Sequence, residues 1–183
     1  MAKGRQFKLG LKTFKLDFGG ARFANYNPKS ARPLVAKTPI HVVMRSPMAK
    51  GRLSLLFFDK EIRKLLKKHS ERVGIRVYDI ANAGNHIHFV CVLKSIHGWK
   101  TFIRAVSGLI ARLVLKAERG AAVGAKFWEA RPWTRILSWG KAYKTLRSYL
   151  CLNKIEAFGF TRTASRIMEK MGLEIKLKVP LAT

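Results

Sequence analysis

Ile75-Arg76-Val77-Tyr78-Asp79-Ile80, then Asn82-Ala83-Gly84, then Asn85-His86-Ile87-His88-Phe89-Val90-Cys91-Val92-Leu93 is the stretch that decides the fold. Two β-rich runs flank a short turn containing Asn and Gly, the pattern of an antiparallel hairpin. In the second run, residues two apart point to one side. Ile87, Phe89, Cys91 and Leu93 therefore share a core-facing side, and His86 and His88 stand together on the other.

Outward from the hairpin, the pattern becomes helical on both sides. Asp59 is a plausible N-cap for a helix that places Ile62, Leu65, Leu66, His69 and Val73 on one face and Lys60, Arg63, Lys64, Lys67 and Lys68 on the other; Gly74 ends it. After the hairpin, Trp99, Phe102, Ile103, Val106, Leu109, Ile110, Leu113 and Val114 keep a helical period, which predicts a helix from Trp99 to Arg119 closed by Gly120 and Gly124. Ile40 to Met44 reads as a strand stopped by Ser46-Pro47. Phe127 to Trp139 is aromatic and β-rich, with Pro132 marking an edge or bend. A helix follows from Lys141 to about Phe158, then a short one near Ala164 to Met171 and an apolar alternation (Leu173, Ile175, Leu177, Val179). The order β-α-β-β-α-β-α predicts an α+β fold with an antiparallel sheet flanked by helices.

The first 37 residues differ. They hold nine basic residues and one acid, Asp17, with Phe7, Leu9, Leu11, Phe14, Leu16 and Phe18 in alternation. Period two indicates extended structure, either an edge strand or a basic arm along phosphates. Gly19-Gly20 interrupts it, and Asn27-Pro28 through Arg32-Pro33 reads as a linker. The expected organisation is an arm and linker over 1–37, a globular domain over 38–160, and a helix-and-strand tail over 161–183.

Charge narrows the function. Lys+Arg number 37 against 10 Asp+Glu, a formal +27 on 183 residues, while 48% hydrophobic residues can bury a core. Such a chain is expected to meet a polyanion. Lys60, Arg63, Lys64, Lys67, Lys68, Arg104, Arg112 and Lys116 are candidate phosphate contacts, and Arg131, Trp133 and Arg135, with Trp128, are candidate contacts to unpaired bases. No apolar run is long enough for a membrane span and no secretory start is visible. Cys91 and Cys151 form neither a disulfide framework nor a zinc pair, so a reducing cytoplasm is expected. A phosphate-binding glycine loop and the His-x-Glu with Pro-Cys-x-x-Cys of zinc deaminases are both missing.

Two imidazoles side by side can hold one divalent metal, although His-x-His also occurs on strands without one. Tyr149 and Asn153, four apart, share a helix face that Glu156 continues. A hydroxyl nucleophile next to an oxygen ligand suits phosphodiester cleavage; a partly buried helix aromatic is the plainer reading of Tyr149. His41 reads as a packed strand residue, and His69 and His97 as surface or helix-edge residues.

Asn85-His86-Ile87-His88-Phe89-Val90 resembles the HUH motif (His, hydrophobic, His) of single-tyrosine transposases. Ser148 to Asn153 resembles their catalytic helix, in which Gln or Asn follows the tyrosine by four residues. The spacing from His86 to Tyr149 (149 − 86 = 63) also resembles the family layout. Ile40 to Arg45 and Phe127-Trp128 to Arg135 look most like the REP-associated tyrosine transposase branch, and the resemblance covers about residues 38 to 160.

The resemblance implies a four- or five-stranded antiparallel sheet of the HUH, ferredoxin-like type, with both histidines on a central strand facing the tyrosine helix across a cleft. It implies Mg²⁺ or Mn²⁺ on His86, His88 and Asn153, with Tyr149 attacking single-stranded, hairpin-bearing DNA (a REP-like repeat or element end). A 5′-phosphotyrosine and a free 3′-OH would result. Nucleoid association in a bacterial cytoplasm, no small-molecule cofactor, and either a monomer or a homodimer go with it. The alternative is a domesticated binder of structured DNA or RNA that no longer cuts; a basic ribosomal-type RNA-binding protein is a third class. This chain departs from the family in having Asn153 where many relatives have Gln, Lys154 where Pro is frequent, and its basic N-terminus. Glu156 is either a fourth ligand or a solvated helix residue.

Overall fold

The β hairpin forms as its alternation requires. Strand β5 (Ile75–Asn82) pairs antiparallel with strand β6 (His86–Leu93) through the Asn82–Gly84 turn. The computed structural model describes residues 6–9, 12–15, 17–20, 31–117 and 126–172. Before the hairpin come β1 (Gln6–Leu9), β2 (Lys12–Lys15), β3 (Asp17–Phe18), β4 (Pro39–Arg45) and helix α1 (Asp59–Glu71). After it come helix α2 (Trp99–Leu115), strand β7 (Trp133–Ile136), and helices α3 (Lys141–Glu156) and α4 (Arg162–Lys170). A five-stranded antiparallel sheet runs β3-β7-β4-β6-β5, and β1 and β2 form a separate two-stranded sheet. The fold is α+β, with β6 inside the sheet between β4 and β5.

Alternation gives the sheet two differently covered faces. Ile40, Val42 and Met44 of β4 and Ile87, Phe89, Cys91 and Leu93 of β6 pack with Ile62 and Leu66 of α1 and Phe102, Val106 and Ile110 of α2. This is the main core. On the other face Ala81 and Val90 pack against Leu150, with Tyr143 and Leu146 beside them, so α3 covers that side. An ion pair from Lys154 to Asp79 of 2.9 Å fixes α3 to strand β5. The β5–β6 register slips between Val77 and Asp79, a bulge that leaves Tyr78 without a partner in the ladder.

Several expectations need correction. Asp59 is not the N-cap: Phe58 occupies that position, because Leu55–Phe58 already form a 3₁₀ turn leading into α1. The Asp59 carboxylate instead accepts from Arg63 at 2.6 Å and from Asn82 at 3.1 Å. Helix α2 ends at Leu115 rather than Arg119; Lys116 turns left-handed (φ 51°) and its N–H returns to the last turn. Gly120 and Gly124 lie outside the described residues, as does the alternation from Leu173 to Val179. Only Trp133–Ile136 of the stretch 127–139 is strand. Phe127 is buried, and the Trp128 indole N–H donates to the Ser107 carbonyl at 2.9 Å, which makes Trp128 a packing residue rather than a base-stacking one.

Within the segment expected to be an arm, Asp17–Phe18 adds an edge strand to the sheet on β7. Gly19 and Gly20 then turn away with φ of 90° and 70°, and a Cβ on Gly19 would strike the Pro132 carbonyl. Arg32 ties this edge down: its guanidinium donates to Thr134 Oγ1 at 2.6 Å and lies 4.7 Å from the Phe18 ring centre. Of the expected linker 27–33, residues 27–30 lie outside the described residues. No helix among the described residues is long and apolar enough to cross a membrane.

Candidate active site

Because His86 and His88 alternate with Ile87 and Phe89, both imidazoles stand on the α3 side of the sheet, with ring centres 4.6 Å apart. Tyr149 projects from α3 toward them: its ring meets His88 edge-on, 5.7 Å between centres and nearly perpendicular. Tyr149 is 41% exposed, whereas His88 is 4% exposed. Three of the residues singled out in the sequence are thus brought together, two by strand alternation and one by the docking of α3.

Hydrogen bonds set the orientation of both rings. His86 Nδ1 lies 2.6 Å from Asn85 Oδ1, so Nδ1 carries the proton and Nε2 keeps its lone pair. His88 Nδ1 lies 3.0 Å from His41 Nε2, and the two rings stack 5.2 Å apart. With His88 as donor in that bond, its Nε2 too is a free lone pair. That Nε2 is buried and has no hydrogen-bond partner.

Burial, reinforced by the neighbouring His41 and His86, pushes the His88 pKa down to about 3. Burial and then Arg135 push His41 to about 4, while burial and then Arg45 lower His86. Neutral imidazoles with unpaired nitrogens are the donor set a divalent cation requires, each held by a second partner. Among the described residues no group of three or more His, Cys, Asp or Glu side chains is placed to hold a metal ion. A cation here would complete its shell from amide, water or substrate oxygens.

Asn153 lies one turn beyond Tyr149, 9% exposed, with its amide nitrogen buried and unpaired. Rotating that amide by half a turn would offer the oxygen instead. Glu156 is engaged elsewhere: both carboxylate oxygens accept from Arg162, at 2.8 and 2.9 Å, so the fourth-ligand reading does not hold.

A cleft of about 950 Å³ opens beside these rings, lined by His41, His88 and Tyr149 together with Arg45, Arg131, Arg135 and Lys141. Trp133 also lines it, edge-on to His41 at 5.4 Å. Glu129 brings one carboxylate, 3.5 Å from Arg45. Four cations against one acid suit a polyanion. Of the expected nucleic-acid contacts, Arg131, Trp133 and Arg135 are at this cleft. Lys60, Arg63, Lys64, Lys67, Lys68, Arg104, Arg112 and Lys116 are not: they lie on α1, α2 or the α2 C-cap, the layer packed on the opposite face. Arg63 is paired with Asp59 there. Arg45 and Lys141, and the link from His41 to His88, are the site features that the sequence reading missed. The visible signal was the alternation His41, Val43, Arg45 on β4, whose register against His88 only the folded sheet supplies.

No family model and no curated protein matches the chain. Among solved structures it is similar to a REP-associated tyrosine transposase bound to a REP hairpin, with a TM-score of 0.56 and 14% identity, over 71% of this chain and 74% of that one. A protein from Deinococcus radiodurans R1, provisionally named a transposase, follows with a TM-score of 0.43 and 16% identity, over 69% of this chain and 98% of that one. The first likeness is one of fold: the α+β architecture with its five-stranded antiparallel sheet is the one that the REP-associated transposase has.

Proposed function

We propose that this protein is a metal-dependent endonuclease and strand transferase of the transposase type, which cuts hairpin-bearing single-stranded DNA through a tyrosine–phosphate intermediate. The observation that carries the reading is the meeting of His88 and Tyr149 at a basic cleft, with His86 against His88. The shared fold with a transposase that binds a REP hairpin supports it.

In this reading Arg45, Arg131, Arg135 and Lys141 draw the phosphate backbone into the cleft and hold the scissile phosphate against the tyrosine. Tyr149 Oη attacks the phosphorus and loses its proton; the P–O3′ bond breaks and the 3′ oxygen takes up a proton, leaving a free 3′-OH and a 5′-phosphotyrosine. A phenolate is a good leaving group, so a second 3′-OH can reverse the step and join strands without ATP. Asn85 and His41 hold the Nδ1 atoms of the two imidazoles, which leaves each Nε2 to a ligand. His86 and His88, with Asn153 as a third donor after its amide rotates, would hold Mg²⁺ or Mn²⁺, which supplies charge withdrawal at the non-bridging phosphate oxygens.

The test uses the full chain and Tyr149→Phe, incubated with end-labelled single-stranded hairpin DNA and Mn²⁺ and run on a denaturing gel. A covalent protein–DNA band is expected for the wild type, lost in the variant and with chelator. Native-gel complexes with no covalent band for any hairpin would replace this reading with that of a non-cutting binder.

A further inference from the structure

Outside the cleft, three aromatic rings come together where α3 begins. Tyr78, Trp139 and Tyr143 form a chain of edge-to-face contacts, Tyr78 to Trp139 at 5.4 Å and Trp139 to Tyr143 at 5.2 Å between centres. Trp139 is 47% exposed and Tyr78 43% exposed, although both are large and apolar. Neither reaches the main core. Tyr78 is the bulged residue of edge strand β5, and bulges at sheet edges re-aim a side chain. Trp139 follows Leu137 and Ser138, both of which line the cleft, so the aromatic group borders its mouth. The surroundings are mainly cationic: the Arg76 guanidinium lies 6.0 Å from the Tyr78 ring centre, Lys144 and Arg147 are exposed on α3, and the neighbouring acid Asp79 is paired with Lys154.

Half-open rings braced by one another and surrounded by cations are costly on a free surface but fit one ligand. Unpaired bases offer a flat π-face to stack, and their phosphates match the charge. A duplex hides those faces. We infer that Trp139, braced by Tyr78 and Tyr143, is a base-stacking platform for the single-stranded DNA that leaves the cleft over the start of α3. This rests on the proposed reading only in that the chain binds single-stranded DNA; it needs neither metal nor cleavage.

The experiment measures binding of fluorescein-labelled (dT)16 and of an abasic 16-mer to the full chain by anisotropy in EDTA. Trp139→Ala is expected to weaken (dT)16 binding roughly 5- to 140-fold, the worth of one stacked base. Trp139→Phe should keep most of the affinity, Tyr78→Ala should show a smaller loss, and abasic binding should stay within about twofold in all three. Because a stacked base neutralises no phosphate, the salt slope should stay as in the wild type. Unchanged (dT)16 binding in Trp139→Ala overturns the platform, as does an equal loss on the abasic strand or a Phe variant as weak as the Ala one. No hairpin or metal is present, so failure here leaves the tyrosine chemistry standing, and a missing covalent band leaves the platform standing.

Discussion

His88 donates to His41 within a group of imidazoles that burial keeps neutral. An unfolded imidazole titrates near 6.5, whereas His41 is held near 4 and His88 near 3 in the fold. As pH falls through about 6.5, the unfolded chain therefore binds protons at these positions that the native chain does not. Unfolded protons exceed native ones, so stability rises with pH across this window. In metal-free protein, urea unfolding is expected to show a plateau above about pH 7 and a progressive loss from about pH 6.5 toward 4. His41→Gln should flatten the upper part of that slope, before carboxylates begin to titrate. An identical slope in the variant would mean that His41 is not among the groups responsible.

At the scale of elements, the hairpin that carries both histidines is held at its turn by one side chain. Asn82 donates to the Leu55 carbonyl at 2.8 Å and to Asp59 at 3.1 Å, and its Oδ1 accepts from the Gly84 N–H at 3.1 Å. It is buried, so Asn82→Ala leaves the Gly84 N–H without its acceptor and takes a donor from the Leu55 carbonyl and the Asp59 carboxylate, and is expected to cost about 1–3 kcal/mol. Chemical denaturation reads this directly, and a change below about 0.5 kcal/mol would show that the turn stands on its backbone bonds alone. Elements of this kind were legible in the sequence because their information is local. Alternation in His86–Leu93 and the 3.6-residue period in Trp99–Val114 each state which residues share a side. The packing of Trp128 and the bulge at Tyr78 were not legible, since each depends on a partner elsewhere in the chain; the early end of α2 was not, because Lys116 takes up a left-handed cap that its residue type does not announce. The same division runs through the site. His86 and His88 are neighbours by alternation, but His41 reaches His88 only through the β4–β6 register, where Val43 and not His41 lies opposite His88. The lysine stripe of α1 was readable as a stripe; which face of the sheet it would cover was not.

Taken whole, the molecule has two unlike sides: a cleft with aromatic rings and arginines next to α3, and an α1–α2 layer whose outer surface presents Lys60, Lys64, Lys67 and Lys68. Between them lies one sheet, which carries the imidazoles of His41, His86 and His88, while α3 brings Tyr149 and Lys141 to the same face. Helix α3 folds back onto its own strands, fastened by Leu150 over Ala81 and Val90 and by Lys154 at Asp79. The hydroxyl that would attack in the proposed reaction is therefore on the same chain as the imidazoles, whatever the dilution. The yield of covalent product per protein molecule should not change over a tenfold range of protein concentration with DNA in excess. Mixing His88→Ala with Tyr149→Phe should restore no product, for neither chain can lend the other its missing half. Product from that mixture would reveal that α3 changes places between chains. Otherwise each molecule is a self-sufficient worker, and one copy arriving at a DNA end is enough.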